Sequence, residues 1–184
     1  MQTCHRARIA ALVVTGFTVI SIAPSAAAQG AARAGPFDPK SGRFATALPS
    51  EPARAPDTLS ATSDKVWAAL GQVYAELGVP LSVVDSSSHV IGAVRVTQRR
   101  PVGGDRLSRL LECGSGAYGP NAERYTVQLT LLTAIQPLGD KATIVDTRAG
   151  GQASPNGLSS TVGCASSGVL EEKIAGMLRK ALGL

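Results

Sequence analysis

Glu123-Arg124-Tyr125-Thr126-Val127-Gln128-Leu129-Thr130-Leu131-Leu132-Thr133-Ala134-Ile135-Gln136 is the stretch that decides the fold class of this chain. Tyr125, Val127, Leu129, Leu131, Thr133 and Ile135 alternate with Thr126, Gln128, Thr130 and Ala134, and a period of two sends the two sets to opposite faces of a strand. One face is apolar and the other mixed, which predicts an antiparallel sheet covered on one side. Pro137-Leu138-Gly139-Asp140 reads as a turn, and Ala142 to Ala149 as the strand that returns from it.

Upstream, Leu81 to Asp85 and Val90 to Gln98 are rich in Val and Ile and flank Ser86-Ser87-Ser88-His89, which predicts another hairpin. Before it, Val66, Trp67, Leu70, Val73, Tyr74 and Leu77 recur at helical spacing, with Ser63 as a cap and with Gly78 and Pro80 as the stop. Leu107, Leu110 and Leu111 make a short helical piece. Gly150 to Gly163, rich in Gly and Ser, reads as a loop. The last element is a helix begun at Ser167. Leu170, Ile174, Met177, Leu178, Ala181 and Leu182 form its apolar face, with Glu171 and Glu172 in the first turn and Arg179 and Lys180 in the last. The order α-β-β-(short α)-β-β-α predicts an α+β domain: an antiparallel sheet of about four strands with two main helices on one face.

That domain occupies residues 63–184. Residues 29–62 are rich in Ala, Pro, Gly and Ser and are expected to be a disordered leader, because their few large hydrophobes do not offset the entropy of ordering. Residues 1–28 read as a secretory signal: Arg6 and Arg8 precede the apolar run Ile9 to Ala23, and small residues lead to a cut between Ala28 and Gln29. The apolar run is shorter than the roughly 20 residues a spanning helix needs, so no transmembrane segment is expected in the mature chain. Exported, periplasmic or secreted, is the localisation this implies.

Export changes the chemistry that remains. Cleavage removes Cys4 and leaves Cys113 and Cys164, a pair expected to form a disulfide in an oxidising compartment. In the chain-entropy account, closing a loop of this length stabilises the fold by about 4 kcal/mol. The whole chain has 18 Lys and Arg against 13 Asp and Glu, net +5, and loss of Arg6 and Arg8 leaves 16 against 13, net +3. So mild a balance does not call for nucleic acid.

Gly114 to Gly119 fits the spacing GxGxxG, but a pyrophosphate site needs it between a strand and a helix, and here it follows a helix and precedes a strand. No cofactor or metal site is expected. His89, with Asp85 and Ser86 to Ser88, crowds one turn and lacks the separate scaffold a catalytic triad requires. Asp85, Glu112, Glu123, Asp140 and Asp146 are available as a carboxylate pair for glycan hydrolysis, with no local signature selecting two. Arg95, Arg99, Arg100, Arg106 and Arg109 form the densest basic region, read first as a solvated face and second as a contact face for an acidic polymer or lipid headgroup. No aromatic residue lies among these arginines, as single-stranded nucleic acid binding would want.

Lys65-Val66-Trp67 through Leu77-Gly78-Val79, then Val83-Val84-Asp85 and Val90-Ile91-Gly92, resembles the helix and hairpin that open small envelope domains. The lipoprotein subunit of the outer-membrane barrel-assembly machinery is one such family. The resemblance implies a non-catalytic accessory domain with a helix packed across an antiparallel sheet, and carries over no functional residue. The leading expectation is a non-catalytic exported module that binds a protein or envelope component. The alternative is a secreted carboxylate-dependent glycan hydrolase. Mass spectrometry of the exported protein without reduction is expected to find Gln29 first and Cys113 joined to Cys164; a retained Met1 or two free thiols would contradict this reading.

Overall fold

The computed structural model describes residues 54–155 and 160–184, and ahead of them the backbone of two short strands, β1 (Phe37–Asp38) and β2 (Arg43–Phe44). The signal segment, its cleavage pair Ala28 and Gln29, and most of the leader lie outside the described residues. β1 and β2 pair antiparallel, with Phe37 opposite Phe44.

The main body is α+β. In chain order it comprises β3 (Asp57–Leu59), α1 (Ser63–Leu77), β4 (Val83–Asp85), β5 (Val90–Gln98), α2 (Leu107–Leu110), β6 (Leu111–Glu112), β7 (Ser115–Gly116) and β8 (Gly119–Pro120). There follow α3 (Asn121–Arg124), β9 (Thr126–Leu138), β10 (Ala142–Ser154), β11 (Val162–Ser166) and α4 (Val169–Leu182). Among the described residues the main sheet has seven strands, ordered β4-β5-β9-β10-β11-β6, with β3 also paired to β10. Each of these pairings is antiparallel.

Both expected hairpins form, and β9 pairs with β10 along the full 13 residues of each. The expectation of about four strands is too low, because β3, β6 and β11 join as well. β11 arises where Gly and Ser imply only a loop. β10 also runs on to Ser154 through the expected loop, and Gly151 serves its pairing, since a Cβ there would lie 2.6 Å from the Gln128 carbonyl oxygen. Gly92 is required in the same way, because its Cβ would meet the Leu131 carbonyl oxygen at 2.1 Å. Glu123 to Tyr125 also departs from expectation: α3 occupies Asn121–Arg124, and β9 begins at Thr126.

Order also reaches into the stretch assigned to the leader by composition. Leu59 is buried, and Asp57 receives hydrogen bonds from Arg179 Nη2 at 2.6 Å and Arg54 Nη2 at 3.5 Å. One large hydrophobe, strand pairing and a bridge to α4 hold this segment where its mean composition reads as unstructured.

Helices α1 and α4 pack on the same face of the sheet. Val66, Leu70, Val73, Tyr74 and Leu77 of α1, and Leu170, Ile174 and Leu178 of α4, enter one core with Ile91, Val127, Leu129, Leu131, Ile135, Val145 and Ala149. Gly78 ends α1 in the left-handed conformation, its N–H donating to the Ala75 carbonyl. The expected caps are displaced by one residue: Thr62 and Gly168 hold the N-cap positions, and the Ser167 hydroxyl donates instead to the Arg109 carbonyl at 2.7 Å. The opposite face of the sheet is not bare. Val90, Leu132 and Ala134 form a small second cluster there, with Val83 and Val94 against it. The Asp146–Arg148 ion pair lies on the same face, because Asp146 stands opposite Ala134 and Arg148 opposite Leu132.

Along one edge β10 pairs with β3 through Val145 and with β11 from Gly150, which leaves Ala149 between the two partners. The Glu171 carboxylate fills that gap. Its Oε1 accepts the Ala149 N–H at 3.1 Å and its Oε2 accepts the Ser166 hydroxyl at 2.7 Å. A buried carboxylate is tolerated when its oxygens are hydrogen-bonded. Glu171→Ala is expected to lower the unfolding free energy by about 1–3 kcal/mol, since it strands a buried donor. Denaturant unfolding checks this, with Glu171→Gln losing less; equal losses for both variants would argue against the clamp.

Candidate functional site

Strands β5 and β9 stay paired as far as Gln98 and Val127. Beyond that pair the chain leaves β5 through Arg99-Arg100-Pro101, and it enters β9 from α3 and Tyr125. Pro101 has no N–H to continue a ladder. The two segments diverge around a cleft of about 130 Å³, where one water needs roughly 10–15 Å³. Buried Leu107 and Ala122 line it from within, and Arg99, Arg100 and Arg124 line it from the exposed side. Among the described residues Arg99 and Arg100 form no ion pair.

Glu123 also lines the cleft, and it is the one carboxylate among the described lining residues. Its Oε1 accepts the Ser108 N–H at 2.8 Å, one of the donors that the first turn of α2 leaves without a helical partner. The Ser108 N–H, the Ser108 hydroxyl and the nearby charge of Arg106 together hold the Glu123 carboxyl below its ordinary range. Glu123 is therefore an ionised strut between α3 and α2. It offsets one of the positive charges and leaves the cleft an excess of cation.

Arg124 connects the cleft to its rim. Its guanidinium carbon lies 4.9 Å from the centre of the Tyr118 ring, a cation–π contact, and Nη1 reaches the Tyr118 carbonyl at 3.5 Å. Tyr118 stands at the tip of the β7–β8 ribbon. The ribbon's base is fixed by the Cys113–Cys164 disulfide, by Asn121 Nδ2 donating to the Cys113 carbonyl at 3.0 Å, and by the Asn121 N–H donating to the Gly114 carbonyl at 3.0 Å. The expected disulfide thus joins the end of β6 to β11.

The basic region expected from the sequence is divided by the fold. Arg99 and Arg100 line the cleft and Arg106 stands near Glu123. Arg109 turns to Asp105, with Nη1 2.9 Å from Oδ1. Asp105 also binds Lys173, and that lysine is the main reason its carboxyl titrates low. Arg95 sits in the bulge of β5 with φ of 54°, about 13 Å along the strand from Arg99. Arg124 does not emerge from sequence reasoning, which places it in a strand; the four-residue α3 that holds it has no capping side chain to announce it.

The other candidates resolve as local structure. Gly114 to Gly119 lies between β6 and α3, not between a helix and a strand as expected, but it builds the β7–β8 ribbon, with Gly116 opposite Gly119, and not the tight turn that a pyrophosphate needs. The Asp85 carboxylate accepts the Ser87 and Ser88 hydroxyls, each at 2.6 Å, and their N–H groups; these bonds hold it well below the usual carboxylate range. His89 instead meets Trp67 edge to face, with ring centres 6.0 Å apart. Asp146 is paired with Arg148, Glu112 is exposed on β6, and Asp140 is exposed in the β9–β10 turn. Among the described residues no three His, Cys, Asp or Glu side chains gather as a metal site, and no helix is long and apolar enough to cross a membrane.

Compared with known protein families, characterised proteins and solved structures, the chain matches none. The Glu123 strut has a pH signature. A carboxyl depressed in the folded state contributes all its stabilisation above the unfolded value near 4.3, and loses it as pH falls through the lower folded value. Glu123→Gln is expected to be less stable than wild type at about pH 6 and to converge on it in acid. Urea unfolding across that range measures the gap, and a gap that stays constant contradicts the assignment.

Proposed function

We propose that this chain is an exported, non-catalytic binding module that recognises an anionic component of the cell envelope through the cleft of Arg99, Arg100 and Arg124. The observation that carries the reading is that three arginines line one concave surface whose one carboxylate among the described lining residues is already engaged by Ser108. Like charges held together are relieved when an anion enters. The planar guanidinium fork matches a carboxylate or phosphate through paired hydrogen bonds. The expected signal segment and the disulfide favour an oxidising compartment, where envelope polymers are the abundant anions. A binding role also agrees with the accessory character implied by the resemblance of residues 65–92 to small envelope domains.

Hydrolysis of a glycan by paired carboxylates is the less favoured reading. It needs an acid and a partner carboxylate about 5–10 Å apart across the substrate. The described lining of the cleft supplies Glu123 alone, ionised and bonded to a backbone donor.

Co-sedimentation of the mature protein with envelope fragments from the cell that makes it tests the proposal. Binding is expected at low salt, to weaken as salt screens the exposed guanidinium groups, and to fall about tenfold or more in the Arg99→Ala, Arg100→Ala double variant. Binding indifferent to both would sink the anion reading. Glycan hydrolysis abolished by Glu123→Gln would favour the hydrolase.

A further inference from the structure

Tyr118 is 81% exposed, the most open of the large hydrophobic side chains in the described residues. Its setting is rigid. Ala117 and Tyr118 form the two-residue turn between Gly116 and Gly119, and the base of the ribbon is tied by the disulfide and by both hydrogen bonds from Asn121. An aromatic ring held out on a fixed tip loses little conformational freedom when it binds, which is the property that makes such residues effective anchors. One face of the ring carries the Arg124 guanidinium. The opposite face is left for a ligand. Arg124 also lines the cleft, so a single side chain joins the aromatic platform to the cationic site.

A ligand that fills both places carries an acidic group and, next to it, a ring with an apolar face and polar edges. We infer that the ligand is an acidic glycan, with its carboxylate or phosphate in the cleft of Arg99, Arg100 and Arg124 and an adjoining sugar ring stacked on Tyr118. This rests on the anion-binding reading above and extends it to a class of ligand. A tyrosine is suited to the task because its body is apolar and its hydroxyl stays wet. A lipid surface fits less well. Ser115, Gly116, Ala117 and Gly119 around Tyr118 offer no further large apolar group to enter a bilayer, and the arginines line a hollow where a flat membrane would need a flat basic face.

Isothermal titration of the mature protein with an oligogalacturonate, a neutral oligosaccharide, tripolyphosphate and phosphatidylglycerol vesicles tests the inference. Wild type is expected to bind the oligogalacturonate and tripolyphosphate but not the neutral sugar. Tyr118→Ala should weaken the oligogalacturonate about tenfold and leave tripolyphosphate within about twofold, with Tyr118→Phe restoring most of the loss. The Arg99→Ala, Arg100→Ala double variant should weaken both anions. Equal oligogalacturonate binding by wild type and Tyr118→Ala overturns the sugar platform and leaves the anion cleft standing. Binding to vesicles without binding to the oligogalacturonate overturns the glycan in favour of a lipid headgroup. Failure of wild type to bind any anion overturns the cleft itself.

Discussion

The register of β9 against β10 is the constraint on which the rest of the domain depends. Side chains alternate along a strand, so a slip of one residue would turn Val127, Leu129, Leu131 and Ile135 away from the helices. Buried hydroxyls hold the register as firmly as the apolar pattern does. Thr133 and Thr147 are directly opposite each other, with their oxygens 3.0 Å apart, and the Tyr74 hydroxyl arrives from α1 at 3.0 Å from Thr133. The same slip would carry Thr133 out and strand its partners, the Tyr74 and Thr147 hydroxyls, in the core, at about 1–3 kcal/mol each. Burial pushes the Tyr74 phenol above its ordinary range, so it remains a neutral partner to the threonine. One chain of three hydroxyls therefore joins a helix to two strands.

How far the fold could be read depended on the length over which a pattern repeats. The alternation from Val127 to Ile135, the stripe from Val66 to Leu77 and the stripe from Leu170 to Leu182 each repeat enough to name an element, and all three elements are present. β3 and β6 have three and two residues, too few for any period to register. The far half of β10, from Gly150 to Ser154, was hidden for another reason. Gly151 reads as a loop residue locally, yet it is required by the approach of the Gln128 carbonyl, a contact across the sheet. The second cluster at Val90, Leu132 and Ala134 was equally hidden, because the mixed face of β9 has its apolar members only at that end.

The cleft shows the same division between local and distant causes. Arg99 and Arg100 stand out in sequence by density of charge, and the fold places both on the lining of the cleft. Arg109 has the same local charge and is claimed by Asp105, four residues before it. Arg124 and Glu123 look like the start of a strand, and acquire their roles only because α3 brings them beside Ser108 and Tyr118. Charge density along a chain measures how many cations are near one another. Which of them are already neutralised is decided by partners that the sequence keeps apart.

The strands that end the main path through the sheet, β4 and β6, are also among its shortest, at three and two residues. An exposed edge presents unpaired backbone groups that can template another chain, and a long, flat edge is an invitation to aggregate. Here the end strands are brief, and the side of β5 that β4 leaves open beyond Gly92 is interrupted by the bulge that carries Arg95. β4 stops at Asp85, whose carboxylate turns to the Ser87 and Ser88 N–H groups, and β6 gives way to the disulfide at Cys113. The long strands β9 and β10 are kept inside the sheet. Short end strands, a bulge and a charge on the open side of β5 each work against copies of the domain pairing edge to edge.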